Sequence, residues 1–252
     1  METLFIGRNV IFLDYTESTN SYAIDMLKNV NLAEGTIVQT EHQTMGRGQR
    51  GSAWNTEKSS NLTASLIIKP TFLNLNNHYF LYQISALACY DALSEILNSS
   101  QFDIKIKWPN DILVNNLKIA GILIENNINN SKINWSVIGL GLNINQTNFD
   151  DNFKATSLKK LCNKDTDINV VLELFCKHFE KYYLMLKSNK INQINEGYLK
   201  CFFGLNNWMH FEIEGSTEKF FIEGINETGL LQLKSENGSL HYFDVKSIKW
   251  KY

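Results

Sequence analysis

Four strand-like runs follow one another between residues 104 and 144: Ile104–Trp108, Ile112–Val114, Ile119–Glu125 and Trp135–Ile144. Each is rich in β-branched or aromatic side chains, and the links between them are short and polar. Asn115-Asn116-Leu117-Lys118 reads as a hairpin turn and Asn126–Lys132 as a second turn between strands. Links this short reverse the chain, so successive strands must pair antiparallel; a parallel pair needs a long crossover. Thr36–Thr40 and Leu62–Ile68 add further strands, the latter alternating through Leu62, Ala64, Leu66 and Ile68. Tyr79–Leu97 is too long and too rich in alanine and leucine for a strand, and reads as a buried helix. Val170–Leu186 and Ile191–Phe202 also read as helices, and Ser18-Thr19-Asn20 caps a short amphipathic one. The expectation is an α+β fold, a mixed, largely antiparallel sheet flanked by helices.

After Gly204 the texture changes to short strands split by Glu214-Gly215-Ser216, Asn226-Glu227-Thr228-Gly229 and Glu236-Asn237-Gly238. Met209, Phe211 and Ile213 alternate with polar residues as a half-buried strand requires. The expected organisation is a main domain over residues 1–205 and a small β-barrel over residues 206–252.

Composition removes several classes of function. A net charge of −2 provides no electrostatic case for nucleic acid or an anionic membrane as partner. Cys89, Cys162, Cys176 and Cys201 are widely spaced with no Cys-x-x-Cys pair, which argues against a zinc site or a disulfide scaffold. The five histidines show no metal spacing, so no dedicated protein metal site is expected. Without a signal-peptide pattern or an apolar run of about 20 residues, a cytoplasmic location is expected.

Three loop-type segments carry the chemistry. Gly46-Arg47-Gly48-Gln49-Arg50-Gly51 interleaves glycines, which let the backbone approach a ligand, with arginines that match carboxylate and phosphate oxygens. It is neither a P-loop nor a Rossmann fingerprint, and alone it would pass as a charged surface turn. Gln43 before it and Trp54 after it could line a small-molecule pocket. Lys107-Trp108-Pro109-Asn110-Asp111 reads on its own as a capped strand end, and Lys118 as a solvated lysine beside the apolar strand Ile119–Ile124. Gly139-Leu140-Gly141-Leu142-Asn143 places two glycines in a strand, a mark of close approach by a ligand or another backbone, with tight helix–sheet packing as the alternative.

Taken together and in this order, Ser18-Thr19-Asn20, Gln43 with the Gly46–Trp54 loop, Lys107–Asp111, Lys118–Gly121 and Gly139–Asn143 resemble the biotin protein ligases. The resemblance spans essentially the whole chain. It implies a biotin/lipoate ligase-like catalytic domain, similar to class II aminoacyl-tRNA synthetases, with an SH3-like C-terminal barrel. It also implies the monofunctional form, without an N-terminal DNA-binding domain or a repressor role. The implied reaction joins biotin to ATP as biotinyl-5′-AMP, then transfers biotin to a lysine of a biotin carboxyl carrier protein or domain, as in acetyl-CoA carboxylase. Mg²⁺ would accompany ATP, and a homodimer is compatible with the pattern.

Carried over by residue, the resemblance makes Lys118 and Arg47 catalytic. Ser18, Thr19, Asn20, Gln43, Arg47, Gly48, Gln49, Lys118 and Gly121 would contact biotin. Arg47, Arg50, Trp54, Lys107, Asn110, Asp111 and Asn143 would contact the nucleotide. Gln49 stands where the family often has arginine, and Ser52 replaces another common basic residue. The alternatives are a lipoate or octanoate ligase or transferase on the same fold, and a non-catalytic biotin-binding module.

Overall fold

The computed structural model describes residues 2–97, 101–129, 132–150 and 153–251; the side chain of Arg50 lies outside the description. Seven strands form the main sheet: β1 (Val10–Thr16), β2 (Ile37–Gln43), β3 (Leu62–Ile68), β4 (Ile104–Lys107), β5 (Asp111–Val114), β6 (Leu117–Asn129) and β7 (Lys132–Leu142). Their spatial order is β1-β2-β3-β7-β6-β5-β4. Only β1 and β2 pair in parallel; every other neighbour is antiparallel. The sheet is thus mixed and largely antiparallel, as expected from the hairpin spacing. Asn115 and Asn116 both adopt positive φ, at 50° and 65°, and form the tight β5–β6 turn.

Two features differ from the sequence expectation. β1 is an additional edge strand, and the polar segment 126–132 is mostly strand rather than turn. β6 runs to Asn129 and β7 starts at Lys132, so the reversal falls at residues 130–131, outside the described residues. The asparagines there bond across the hairpin instead of bending it. Ser136 Oγ donates to Asn126 Oδ1 at 2.7 Å, and Asn134 Nδ2 donates to Asn127 Oδ1 at 3.3 Å.

Strand alternation gives the sheet two unlike faces. One face, with Ala64, Leu66, Ile68, Ile138, Leu140 and Leu142, packs on α2 (Tyr79–Ile96) and α4 (Ile168–Lys187) in the main core. Between β7 and α4 lies the short helix α3 (Leu158–Cys162), and α5 (Ile191–Lys200) follows α4. The opposite face is covered in part by α1 (Thr19–Asn29), whose Ala23 packs with Val38, Ile67 and Val137. Ser18 caps α1, accepting from the Ser21 amide at 3.4 Å. Beyond the first turn of α1 this face is open, and the candidate site lies there.

Residues 208–251 form a second, five-stranded antiparallel sheet: β8 (Trp208–Ile213), β9 (Ser216–Ile225), β10 (Leu231–Lys234), β11 (Leu240–Phe243) and β12 (Lys249–Lys251), in the order β11-β10-β9-β8-β12. This small β unit is what the C-terminal turn signals require. Its buried Phe211, Phe220, Ile222, Leu231 and Leu233 belong to the same continuous core as α2 and α4. The Trp108 indole donates to the Gly229 carbonyl at 2.9 Å, joining the β4–β5 turn to the β unit. Among the described residues no helix is long and apolar enough to cross a membrane.

Candidate active site

The open face holds a cavity of about 210 Å³. Its floor follows from strand register. Thr63 pairs with Gly141, Gly141 with Gly121, and Gly121 with Asp111, one row across β3, β7, β6 and β5. The next row sets Ser65 beside Gly139 and Gly139 beside Leu123. The glycines clear this floor. A Cβ on Gly141 would overlap the Trp54 indole, and one on Gly139 would lie 2.5 Å from Asn20 Oδ1. The two glycines of the Gly139–Asn143 strand therefore serve close approach by side chains from α1 and from the arginine loop.

Residues 46–54 form a small flap. Arg47 bridges Ala53, the Trp54 amide donates to the Gly46 carbonyl at 2.9 Å, and the Gly48 amide donates to the Ser52 carbonyl at 2.7 Å. Residues Gln49–Gly51 close it as one 3-10 turn, with Gly51 at φ +75°. Side-chain contacts hold the flap to the sheet. Arg47 Nη2 donates to both carboxylate oxygens of Glu125, at 2.9 and 3.2 Å. Gln49 lies beside Tyr82 of α2, whose hydroxyl donates to the Ile124 carbonyl at 3.4 Å and whose pKa is raised chiefly by burial.

One end of the cavity is built from neutral hydrogen-bonding groups. Gln43 Oε1 accepts from the Thr19 amide at 2.9 Å. Ser65 Oγ lies 2.8 Å from Thr19 Oγ1 and 2.6 Å from Asn20 Oδ1, and Asn20 Nδ2 donates to Glu125 Oε2 at 2.8 Å. Ser18, Thr19, Asn20 and Gln43 are all buried, so this network holds fixed positions. The other end is charged. Lys118 Nζ lies 2.6 Å from Asp111 Oδ1 and 5.4 Å from the centre of the Trp54 ring, while Lys107 approaches the second oxygen of Asp111 at 3.5 Å. Trp54 Nε1 is buried over Gly141 without a hydrogen-bond partner among the described residues.

The structure brings most of the expected residues to this cavity: Ser18, Thr19, Asn20, Gln43, Arg47, Gly48, Gln49, Trp54, Asn110, Asp111, Lys118 and Gly121 line it. Two expected residues do not line it. Asn143 follows the last residue of β7, and its buried amide donates to the Thr156 carbonyl at 3.0 Å, bracing the segment beside Lys118. Lys107 lies instead in an adjoining groove with Val245, Lys249 and Trp250 of the C-terminal unit. For Arg50 the relevant side chain lies outside the described residues. Sequence reasoning missed Glu125, Thr63 and Ser65. The signal for Glu125 was strand alternation, since Gly121, Leu123 and Glu125 share one face of β6. Among the described residues no group of three His, Cys, Asp or Glu side chains could hold a metal ion.

Residues 12–143, more than half of the chain and most of the cavity, match the model of the Biotin/lipoate A/B protein ligase family. The chain belongs to this family. Among curated relatives, the bifunctional ligase/repressor BirA of Bacillus subtilis is 29% identical over 242 residues, covering 94% of this chain and 73% of that protein. The biotin–[acetyl-CoA-carboxylase] ligase of Paracoccus denitrificans is 33% identical over 129 residues, 51% of this chain and 52% of the relative. Among solved structures, the biotin protein ligase of Aquifex aeolicus in complex with biotin and ATP superposes with a TM-score of 0.80 at 24% identity, covering 97% of this chain and 99% of that one. At that identity the likeness concerns the fold, and the family membership rests on the sequence match.

Proposed function

We propose that this chain is a biotin protein ligase, which activates biotin with ATP to biotinyl-5′-AMP and transfers biotin to a lysine of a biotin carboxyl carrier domain. The observation that carries the reading is the polarity of the cavity. Neutral donors and acceptors line one end, and Lys118 with Asp111 lines the other, over a glycine-cleared floor. The ureido ring of biotin both donates and accepts hydrogen bonds, which suits Ser18, Thr19, Asn20 and Gln43. The dithiolane of a lipoyl group offers neither a donor nor a carbonyl acceptor to that polar end. This favours biotin over lipoate.

In the first step a carboxylate oxygen of biotin attacks the α-phosphorus of ATP, and pyrophosphate leaves. Two anions must approach, and Lys118 and Arg47 lower that barrel of repulsion by facing the carboxylate and α-phosphate with fixed positive charge. Asp111 and Glu125 hold these cations in place beforehand, so little reorganisation is needed. Gly48 and Gln49 complete the flap over the acyl chain, and Gly121 leaves room beneath it. Trp54, Asn110 and Asp111 sit where the nucleotide would lie. Lys107 serves it from the adjoining groove, and Asn143 braces the segment beside Lys118. Mg²⁺ enters with ATP as part of the substrate. In the second step the neutral lysine amine of the carrier attacks the acyl carbon, the bond from carbonyl carbon to phosphate oxygen breaks, and AMP departs. The flap shields the mixed anhydride from water in between.

We place the division between catalytic domain and barrel at residues 205 and 206, with biotin recognition wholly in the first. Among the described residues, none of the C-terminal unit lines the cavity, which supports that division. The deciding experiment incubates the full chain with biotin, Mg·ATP and a carrier domain and measures the carrier's intact mass. A single biotinyl addition that requires ATP is the expected result. Addition of lipoate or octanoate in preference to biotin, or tight biotin binding with no transfer, would overturn the reading.

A further inference from the structure

We propose that Glu125 is a positioning residue that fastens the flap to the cavity and, through it, sets how long the activated acid is retained. The proposal rests on the biotin-ligase reading for its ligand, but not for its structural part. Glu125 follows Gly121 and Leu123 on the same face of β6, at the point where the cavity floor meets the flap. Its carboxylate joins the first turn of α1 to the flap. Oε2 accepts from Asn20 Nδ2 at 2.8 Å, and both oxygens accept from Arg47 Nη2. Asn20 in turn accepts from Ser65 on β3. One chain of hydrogen bonds therefore runs from the sheet through the first turn of α1 and Glu125 to the flap.

Both Glu125 contacts run through Nη2, so Nε and Nη1 of the guanidinium are not engaged by them. Arg47 can thus stay fastened to Glu125 while its fork faces an anionic ligand. The contact is also reversible. The Arg47 side chain is 46% exposed and that of Glu125 is 30% exposed, so water competes for the pair. A pair in that setting adds little to global stability, but it ties the Arg47 end of the nine-residue flap to the sheet, while the Trp54 end is seated over Gly141.

The test compares the full chain with Glu125→Ala and Glu125→Gln. Amide hydrogen exchange of ligand-free protein, read over residues 44–54, should speed up in Glu125→Ala with an unchanged melting temperature. Glutamine keeps an acceptor oxygen for Asn20 but not the charge for Arg47, so Glu125→Gln should lie between. With biotin and ATP, Glu125→Ala should raise the KM for biotin and release the adenylate about five-fold faster. Unchanged exchange over residues 44–54 in both variants would overturn the proposal. So would a loss of kcat at unchanged KM and release, which would make Glu125 part of the chemistry. If Glu125→Ala does not fold, Glu125→Gln alone decides, faster flap exchange supporting the proposal and wild-type exchange overturning it. Failure of the wild-type chain to form any biotinyl adenylate would defeat the ligase reading while leaving the exchange result to judge the fastening.

Discussion

Lys118 shows how a residue that looks ordinary in sequence acquires a task from its surroundings. Its ammonium is held 2.6 Å from Asp111 and faces Trp54, and Asp111 is itself shared with Lys107. Because the pair is partly exposed, removing the lysine should change stability by no more than about 1 kcal/mol. Losing an electrostatic donor aimed at developing charge should instead slow adenylate formation by about 10²–10³. Pyrophosphate exchange and thermal melts of Lys118→Ala check both halves of this expectation, and near-wild-type exchange would remove Lys118 from the chemistry. Gln49 poses the complementary case. Its amide lacks charge and lines the same cavity. Gln49→Arg would add a fixed charge beside the adenylate phosphate, an advantage of about 1 kcal/mol for a charge-assisted over a neutral hydrogen bond. Stopped-flow release of biotinyl-5′-AMP should slow several-fold in the variant. Equal or faster release would mean that position 49 does not meet the adenylate.

Among the elements, the β6–β7 hairpin does most to shape the site, and glycine is its instrument. Gly141 and Gly121 face each other in register; the Trp54 indole lies where a Gly141 side chain would be, and a Cβ on Gly121 would meet Lys118 at 3.2 Å and the Trp54 ring at 3.3 Å. In Gly141→Ala the new methyl meets backbone-anchored Trp54 rather than a flexible chain end. Overpacking of this kind costs about 1–3 kcal/mol, and the ring can escape it by leaving the cavity floor. The variant should therefore fold, with its tryptophan fluorescence altered and its affinity for biotin and ATP lowered about ten-fold or more. Unaltered affinity would show that Trp54 has no part in ligand binding. The helices and most strands at this scale were legible from periodicity, with Leu62–Ile68 and Ile191 as a helix start matching to the residue. β1 was not, because its exposed Phe12 and Tyr15 give no clean alternation and an edge strand is defined by its neighbour β2.

At the scale of the whole molecule, one core unites the two sheets. Phe211, Phe220 and Ile222 of the C-terminal unit join the cluster that holds Trp108, Tyr79, Tyr198 and Phe202 of the main domain. A chain shortened to residues 1–205 would uncover several of these, and each large apolar side chain returned to water costs about 1.5–3 kcal/mol. Against a total stability of about 5–15 kcal/mol that is a heavy loss. The shortened chain should melt well below the full chain or fail to melt cooperatively. Calorimetry checks this, and whatever fraction stays folded should still bind biotin. Loss of biotin binding at unchanged thermal stability would show that the C-terminal unit takes part in recognition.

The sequence by itself determined the hairpin-rich sheet, the change of texture after Gly204, the family and most of the residues around the cavity. Those properties live in local periodicity, turn chemistry and short motifs, which act over a few neighbouring residues. Tertiary structure decided what depends on register and on distant contacts. It aligned Thr63, Gly141, Gly121 and Asp111 in one row from four separate strands. It turned Asn143 away to brace Thr156, and it drew Lys107 into a groove beside the C-terminal unit. It also brought Glu125 to Arg47 across 78 positions of chain. No local rule encodes such a meeting, because it exists only once the strands have paired and the flap has folded onto them.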